Sequence, residues 1–515
     1  MKRILGCGAF TVLFGIFLCG RLSAQAQETK SGEAKSAAPP KEESSVTEHT
    51  IRISNQEIPY KATAGTILLY DENGKPNADV FYIAYVRSDV KDLAQRPIAF
   101  LYNGGPGSSS VWLHMGAFGP RRVVTADAQP TPPSPQKVSE NPNCLLDVAD
   151  LVFIDPVGTG FSHAEGSAKD KDFWGIDQDV KSLAKFIGTY ASRNNRWNSP
   201  KFLIGESYGT FRSAALVNHL QSQEHMYFNG VVMISTVLDL GTISFNPGED
   251  MPYVFYLPSY AATAWYHNAL KERPADLNSL MADARRFASG EYAAALLKGS
   301  KLTAAERSDV LKKLARFTGL SEDYLNKANL RVNLPQFMEE LQRSKGLTTG
   351  RLDSRFNGPM LDLLSEYASY DPQDTSVSGA FTAAFNSYVR QDLNFGQDKK
   401  YEILNEQAAR SWNWKHEEEH GNFGFPGSPN VEGDLVVAMI TNPNLQVQIE
   451  NGIYDLATPF FATEYTVDHL GLPEKLAGLI HMEYYNAGHM MYLHDEDLTK
   501  LKNNVARFIR ASANP

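Results

Sequence analysis

Cysteine is nearly absent from these 515 residues: 3 are present, and Cys7 and Cys19 both fall within the first 26 positions. A chain that sheds that segment keeps only Cys144, which excludes an intrachain disulfide. Basic charge is also in deficit. The 49 Lys and Arg face 59 Asp and Glu, a net charge of -10 with no dense basic run, so the positive surface that nucleic acid binding requires is missing. A convincing membrane span is missing too. The apolar run near the N-terminus is interrupted by glycines and closes at Arg21, a poor match to the roughly 20 apolar residues of an anchor.

What stands at that end is "MKRILGCGAFTVLFGIFLCGRLSAQA", with Lys2 and Arg3, an apolar run to Leu18 and a small-residue site at Ala24-Gln25-Ala26. This pattern predicts a secretory signal over residues 1–26. Leu18 occupies a position where a lipoprotein signal wants a small residue, so Cys19 is not expected to carry lipid. Cleavage removes three basic residues and no acid. An exported chain without disulfides must stand on its core, and the expected compartment is a bacterial periplasm.

With 43% hydrophobic residues, the chain can build one large core with an inserted lobe or several ordinary domains. Residues 27–48, "QETKSGEAKSAAPPKEESSVTE", are charged and small and read as a disordered linker. Folding is expected from His49. The runs "TIRIS", "TILLYD" and "ADVFYIAYV" suggest antiparallel strands with a turn at "DENGKPN". Six later runs lack alternation: "PIAFLY", "DLVFID", "KFLIG", "GVVMIST", "LQVQIENG" and "LIHMEYYN". Buried parallel strands have this character. Helical patterns such as "DVKSLAKFIGTYASR" fall between several of them, which predicts an α/β sheet with helices on both faces. The rhythm stops after residue 240 and resumes near 434. The expected organisation is a first core segment at 49–240, a mostly helical cap inserted at 241–433, and a second core segment at 434–515.

Gly205-Glu206-Ser207-Tyr208-Gly209 fits G-x-S-x-G between a strand-like and a helix-like run. In that context the glycines permit the strained turn that projects a serine above a sheet. A nucleophilic serine needs a base, an orienting carboxylate and oxyanion donors. Asp455 in "IENGIYDLATP" and His489 in "YYNAGHMMY" follow in the order Ser, Asp, His expected of α/β hydrolases. The early loop "LYNGGPGSSS" lets backbone N–H groups approach a substrate. No Lys-Ser or Lys-Thr pair follows it, which disfavours a phosphate loop. Plainer readings stand beside these: a turn serine, a core histidine, an aspartate helix cap, an Asn103 that only braces its loop, a Glu206 that only shapes the elbow.

Six motifs in order, "NGGPGSSS" (103–110), "FGP" (118–120), "IDPVGTGFSH" (154–163), "GESYG" (205–209), "NGIYD" (451–455) and "AGHM" (487–490), resemble the serine carboxypeptidase family. The resemblance runs from about residue 80 to the end, with the helical middle weakly matched. It implies an α/β-hydrolase fold with Ser207 as nucleophile, His489 as general base and acid, and Asp455 orienting the imidazole. It places the oxyanion donors at the backbone N–H groups of Gly105 and Tyr208. It assigns the substrate's terminal carboxylate to Asn103 and Glu206, with the Gly104 N–H nearby. One carboxylate binds another only if one of them is protonated, which favours mildly acidic pH. No metal or cofactor is implied, and the partner is a peptide with a free C-terminus.

The chain departs from the family pattern at three positions. Leu101 stands where eukaryotic members have Trp, Ala117 where they have a second acid, and Ser108 where they have a cysteine. The first two remove partners of the carboxylate-binding network, so a weaker preference for acid pH is expected. They also keep open an esterase or acyltransferase on the same triad, and an intact fold is compatible with a catalytically silent binding protein. "HEEEH" at 416–420 formally matches the zinc motif H-E-x-x-H, but Gly421-Asn422 follows at once, so a solvated helix end is the better reading. The aromatic run "YVFYLPSYAATAWYH" at 253–267 reads as core packing before it reads as a substrate wall.

Overall fold

The computed structural model describes residues 40–417 and 427–513. The signal segment, most of the linker and the second histidine of "HEEEH" lie outside the described residues. Among the described residues no helix is long and apolar enough to cross a membrane.

One ten-stranded sheet organises the chain. Its main path runs Ser44–Ile53, Gln56–Tyr70, Pro76–Arg87, Asp150–Ile154, Ile98–Tyr102, Lys201–Glu206, Gly230–Ile234, Gln446–Gly452 and Ile480–Tyr485. The first three strands form an antiparallel meander, and Pro76–Arg87 also pairs antiparallel with Asp150–Ile154. From Asp150–Ile154 onward every neighbour is parallel. All six unalternating runs are therefore the parallel strands, and the turn at 71–75 is closed by the Asp71 carboxylate, which accepts from Asn73 N and Lys75 N.

The lack of alternation has a direct cause. Successive side chains of a strand point to opposite faces, and both faces are covered at the five inner parallel strands, whereas the edge strand Ile480–Tyr485 is only half-buried. Leu101, Phe202, Ile204, Val232 and Ile234 join one core, which the C-terminal helix Asp495–Ala513 closes through Leu498, Leu501, Val505 and Ile509. Phe100, Tyr102, Leu203, Val231 and Met233 join the other, closed by the helices Ile176–Arg193, Tyr208–Ser222 and Glu432–Thr441.

One boundary and one feature of the insertion differ from the sequence reading. The first strand starts at Ser44, so residues 44–48, which composition assigns to the linker, are paired to Lys61–Gly65. Charge and small side chains do not prevent this, because backbone groups carry the pairing. The Glu42 carboxylate adds an anchor by accepting from Leu68 N at 2.9 Å and from Arg193 Nη1. The inserted block adds no strand to the large sheet, yet it is not one lobe. Met251–Tyr266 and Ala304–Thr318 build a core of their own, whereas Pro372–Gln391 buries Phe381, Phe385 and Tyr388 against the sheet.

Candidate active site

The strand Lys201–Glu206 ends directly at Ser207, and the helix Tyr208–Ser222 begins one residue later. Ser207 takes φ 60° and ψ -130°, a region that costs a non-glycine residue on the order of 1–3 kcal/mol and persists only where its surroundings hold it. The hold is visible. Ser207 N donates to Ile234 O at 2.9 Å, and Thr210 N and Oγ1 both donate to Ser207 O at 2.8 and 2.7 Å. A Cβ on Gly205 would come within 2.3 Å of Gly209 O, so the turn requires glycine there.

The glycine-rich loop lies on the start of the same helix. A Cβ on Gly104 would sit 2.5 Å from Tyr208 N and 2.7 Å from Gly209 N. Gly105, at φ 101°, turns the chain next to it. Gly104 is thus packed against the start of the elbow helix, and Gly104 and Gly105 line one cavity with Ser207. Arg212, fully buried on the elbow helix, ties both pieces together: Nη1 donates to Asn103 O at 2.6 Å and Nε to Asp179 Oδ2 at 2.6 Å. Its guanidinium also lies over the rings of Tyr102 and Tyr208.

Asp455 and His489 come from the loops after the last two strands. Asp455 is wholly buried. Its Oδ1 accepts from Ala457 N and Thr458 N at 2.7 and 2.9 Å, and its Oδ2 from Thr458 Oγ1 at 2.8 Å. His489 Nδ1 lies 2.7 Å from the same Oδ2. An ionised carboxylate only accepts, so Nδ1 carries the proton and Nε2 is left as the basic nitrogen. Burial lowers the imidazole pKa, but the Asp455 charge and hydrogen bond and the Glu206 charge outweigh it, and the net shift is upward. Asp455 therefore does cap its own turn, as the plainer reading has it, and faces the histidine as well.

A strip of the insertion unforeseen from the sequence binds both loops. Leu456 N donates to Arg351 O, His489 N to Leu352 O at 2.6 Å, Gly488 N to Asp353 Oδ2 at 2.9 Å, and Ser354 N to Tyr454 O. Asp353 is itself locked by Arg355, whose Nη2 lies 2.6 Å from Oδ2. Nothing in "RLDSR" signals this, because the bonds are mostly backbone and the partners lie in segments far away in sequence.

Ser207 and His489 share a cavity of about 330 Å³ with Asn103, Gly104, Gly105 and Glu206. Asn103 Oδ1 accepts from Leu113 N at 3.0 Å, bracing its loop, while its Nδ2 has no partner. Glu206 is buried with Oε2 unpartnered, and burial pushes its pKa up to about 7. Trp112 and Leu404 supply apolar wall and Arg351 a cation. The run at 253–267 does not reach the cavity: Phe255, Tyr256 and Tyr260 fill the insertion's own core.

His416 corrects the reading of "HEEEH". It lies outside any helix and is largely buried, with Nδ1 2.6 Å from Asp177 Oδ1 and Nε2 2.9 Å from Asp434 Oδ2. Two carboxylates from the sheet domain attract it, which a pattern of neighbouring residues cannot register.

The sequence profile of the serine carboxypeptidase family matches residues 54–493. The chain belongs to that family. Serine carboxypeptidase-like 51 of Arabidopsis thaliana is 33% identical over 115 residues, 22% of each chain. P-(S)-hydroxymandelonitrile lyase of Sorghum bicolor is 25% identical over 211 residues, 40% of this chain and 36% of its own. The matched parts thus span well under half the length of these relatives. In structure, the chain is similar to crystalline Kex1(delta)p, a prohormone-processing carboxypeptidase of Saccharomyces cerevisiae, with TM-score 0.53 and 16% identity over 88% of this chain and 92% of that one. That likeness establishes the α/β-hydrolase fold.

Proposed function

We propose that this protein is a serine carboxypeptidase that removes the C-terminal residue of peptides through an acyl-enzyme. His489 Nε2 takes the proton of Ser207 Oγ as the hydroxyl attacks the last peptide carbonyl, and Asp455 stabilises the imidazolium that forms. The oxyanion is received by the N–H groups of Gly105 and Tyr208. His489 returns the proton to the leaving amino acid, and water activated by the same imidazole releases the shortened peptide.

One observation carries the exopeptidase part: Asn103 Nδ2 and Glu206 Oε2 are buried and unpaired in the cavity that holds Ser207. A protonated Glu206 and the Asn103 amide are two donors suited to a free carboxylate. With its pKa pushed up to about 7, Glu206 is protonated in mildly acidic solution. The assignment is tested by mapping the adduct of a fluorophosphonate and by following products. Labelling at Ser207 with release of single C-terminal residues is expected; internal cleavage, or labelling elsewhere, would contradict it.

A second reading keeps the triad and changes the substrate to an ester or an acyl donor. Leu101 and Ala117 favour it, since both replace partners of the carboxylate-binding network, and so does the sorghum lyase, whose name is not that of a peptidase. The N-terminal signal pattern supports secretion, with the periplasm as the proposed compartment. Cys144, the one cysteine outside the N-terminal signal pattern, is buried and compatible with an oxidising setting.

A further inference from the structure

Three polar atoms sealed from solvent lack partners, Asn103 Nδ2, Glu206 Oε2 and Tyr492 Oη, the first two on side chains that line the cavity. Buried polar groups are almost always satisfied, so three on adjoining side chains mark a place built to take a polar group. Tyr492 lies three residues after His489 in the turn Met491–Leu493 and is wholly buried. Its hydroxyl lies near Glu206 and Asn103 without meeting either at hydrogen-bond geometry. Its ring lies against Gly116, where a Cβ would meet Tyr492 Cε2 at 2.6 Å. Gly116 lies in the helical turn Leu113–Phe118, and its lack of a side chain leaves room for the ring.

We propose that Tyr492 is a specificity-determining positioning residue: its hydroxyl, unpaired in the free protein, donates to Glu206 once substrate is bound and, with Asn103, aims the Glu206 carboxyl at the free carboxylate of the substrate's last residue. This rests on the carboxypeptidase reading above. The chemistry differs from a pair of acids. Two adjacent buried carboxyls share a proton and titrate as a unit, whereas burial holds the Tyr492 hydroxyl neutral far above its ordinary range. Glu206 is then the single titrating member. The charged groups facing it are His489 and Asp455, with Asn103 and Tyr492 as neutral hydrogen-bonding neighbours. A phenol donating to Glu206 favours its ionised form, so removing the hydroxyl raises the Glu206 pKa further.

The test compares wild type with Tyr492→Phe on one N-blocked dipeptide, offered as free acid and as C-terminal amide, from pH 5 to 9. Both substrates are read in the same sample, so any loss of folded protein cancels in the ratio of their kcat/KM values. The expected result is a fall of roughly tenfold in the acid-to-amide ratio, carried by KM, as for the loss of one hydrogen bond. The alkaline limb for the free acid should also move to higher pH. An unchanged ratio and limb, with wild type preferring the acid, would overturn the role of Tyr492 and leave the carboxypeptidase reading standing. A wild-type ratio near one would overturn both.

Discussion

His489 Nδ1 and Thr458 Oγ1 meet on one oxygen of Asp455, at 2.7 and 2.8 Å, while the other oxygen holds two backbone amides. The carboxylate is fully engaged before the histidine arrives, so its direction is set by its own turn. Asp455→Asn keeps the size of the side chain but offers an N–H toward Nδ1, favouring the tautomer with the proton on Nε2. We expect kcat to fall about 10⁴-fold with a small change in melting temperature. A loss under tenfold, read by steady-state kinetics, would show that Asp455 only caps its turn.

Glu206 and His489 influence one another through charge. The ionised Glu206 helps to raise the His489 pKa, and a general base is lost below its pKa. Glu206→Gln removes that charge, lowers the His489 pKa and moves the acidic limb of kcat/KM for an amide substrate to lower pH. For a free-acid substrate, wild-type KM should rise as pH passes about 7, where Glu206 ionises. The amide introduced by Glu206→Gln has no carboxyl proton to lose, so that rise should vanish in the variant. Rate profiles from pH 4 to 9 read both limbs.

Arg212→Met tests the tie between the elbow and the glycine-rich loop. The substitution leaves Asp179, 2% exposed, without its cation and the Asn103 carbonyl without its donor. Removing one partner of a buried ion pair costs about 3–5 kcal/mol, which urea unfolding would detect as a lower midpoint. A change below about 1 kcal/mol would mean that the two cation–π contacts and the pair are dispensable.

His416 anchors its segment by charge. Burial lowers its pKa, but Asp177 and Asp434 raise it to about 10, while the Asp177 pKa is lowered. A raised imidazole pKa stabilises fully below the unfolded value of about 6.5 and fades as pH climbs through about 10. The lowered Asp177 pKa acts in the opposite sense, its contribution fading as pH falls through the acid range. His416→Gln should therefore lower the melting temperature most near pH 6 and little above pH 10. A pH-independent difference would show that packing, not charge, is what His416 supplies.

The parallel strands were legible because burial on both faces demands runs of apolar residues, and the elbow because Gly205 and Ser207 answer to backbone geometry written into adjacent positions. Asp455 and His489 were legible through chain order and resemblance. The rest depended on contacts between distant segments. Arg351 to Arg355 reach the loops that carry Asp455 and His489 mainly through backbone groups, which no side-chain pattern encodes. Arg212 looks like an ordinary helix residue until Asp179 is placed opposite it. Ser44–Glu48 read as linker because composition reports side chains, while strand pairing needs only amides and carbonyls. Ala117 signalled a lost acid, but that Tyr492 approaches Glu206 from the other end of the chain could be seen only in three dimensions.

Carboxylate recognition beside an activated serine is tested most directly with one N-blocked dipeptide, supplied as free acid and as amide to wild type and Ser207→Ala between pH 4 and 8. Hydrolysis of the free acid in strong preference to the amide, strongest below pH 7, is expected, with a loss of many orders of magnitude in the variant. Equal turnover of acid and amide would contradict carboxylate recognition, and a loss under tenfold in Ser207→Ala would contradict the nucleophile itself.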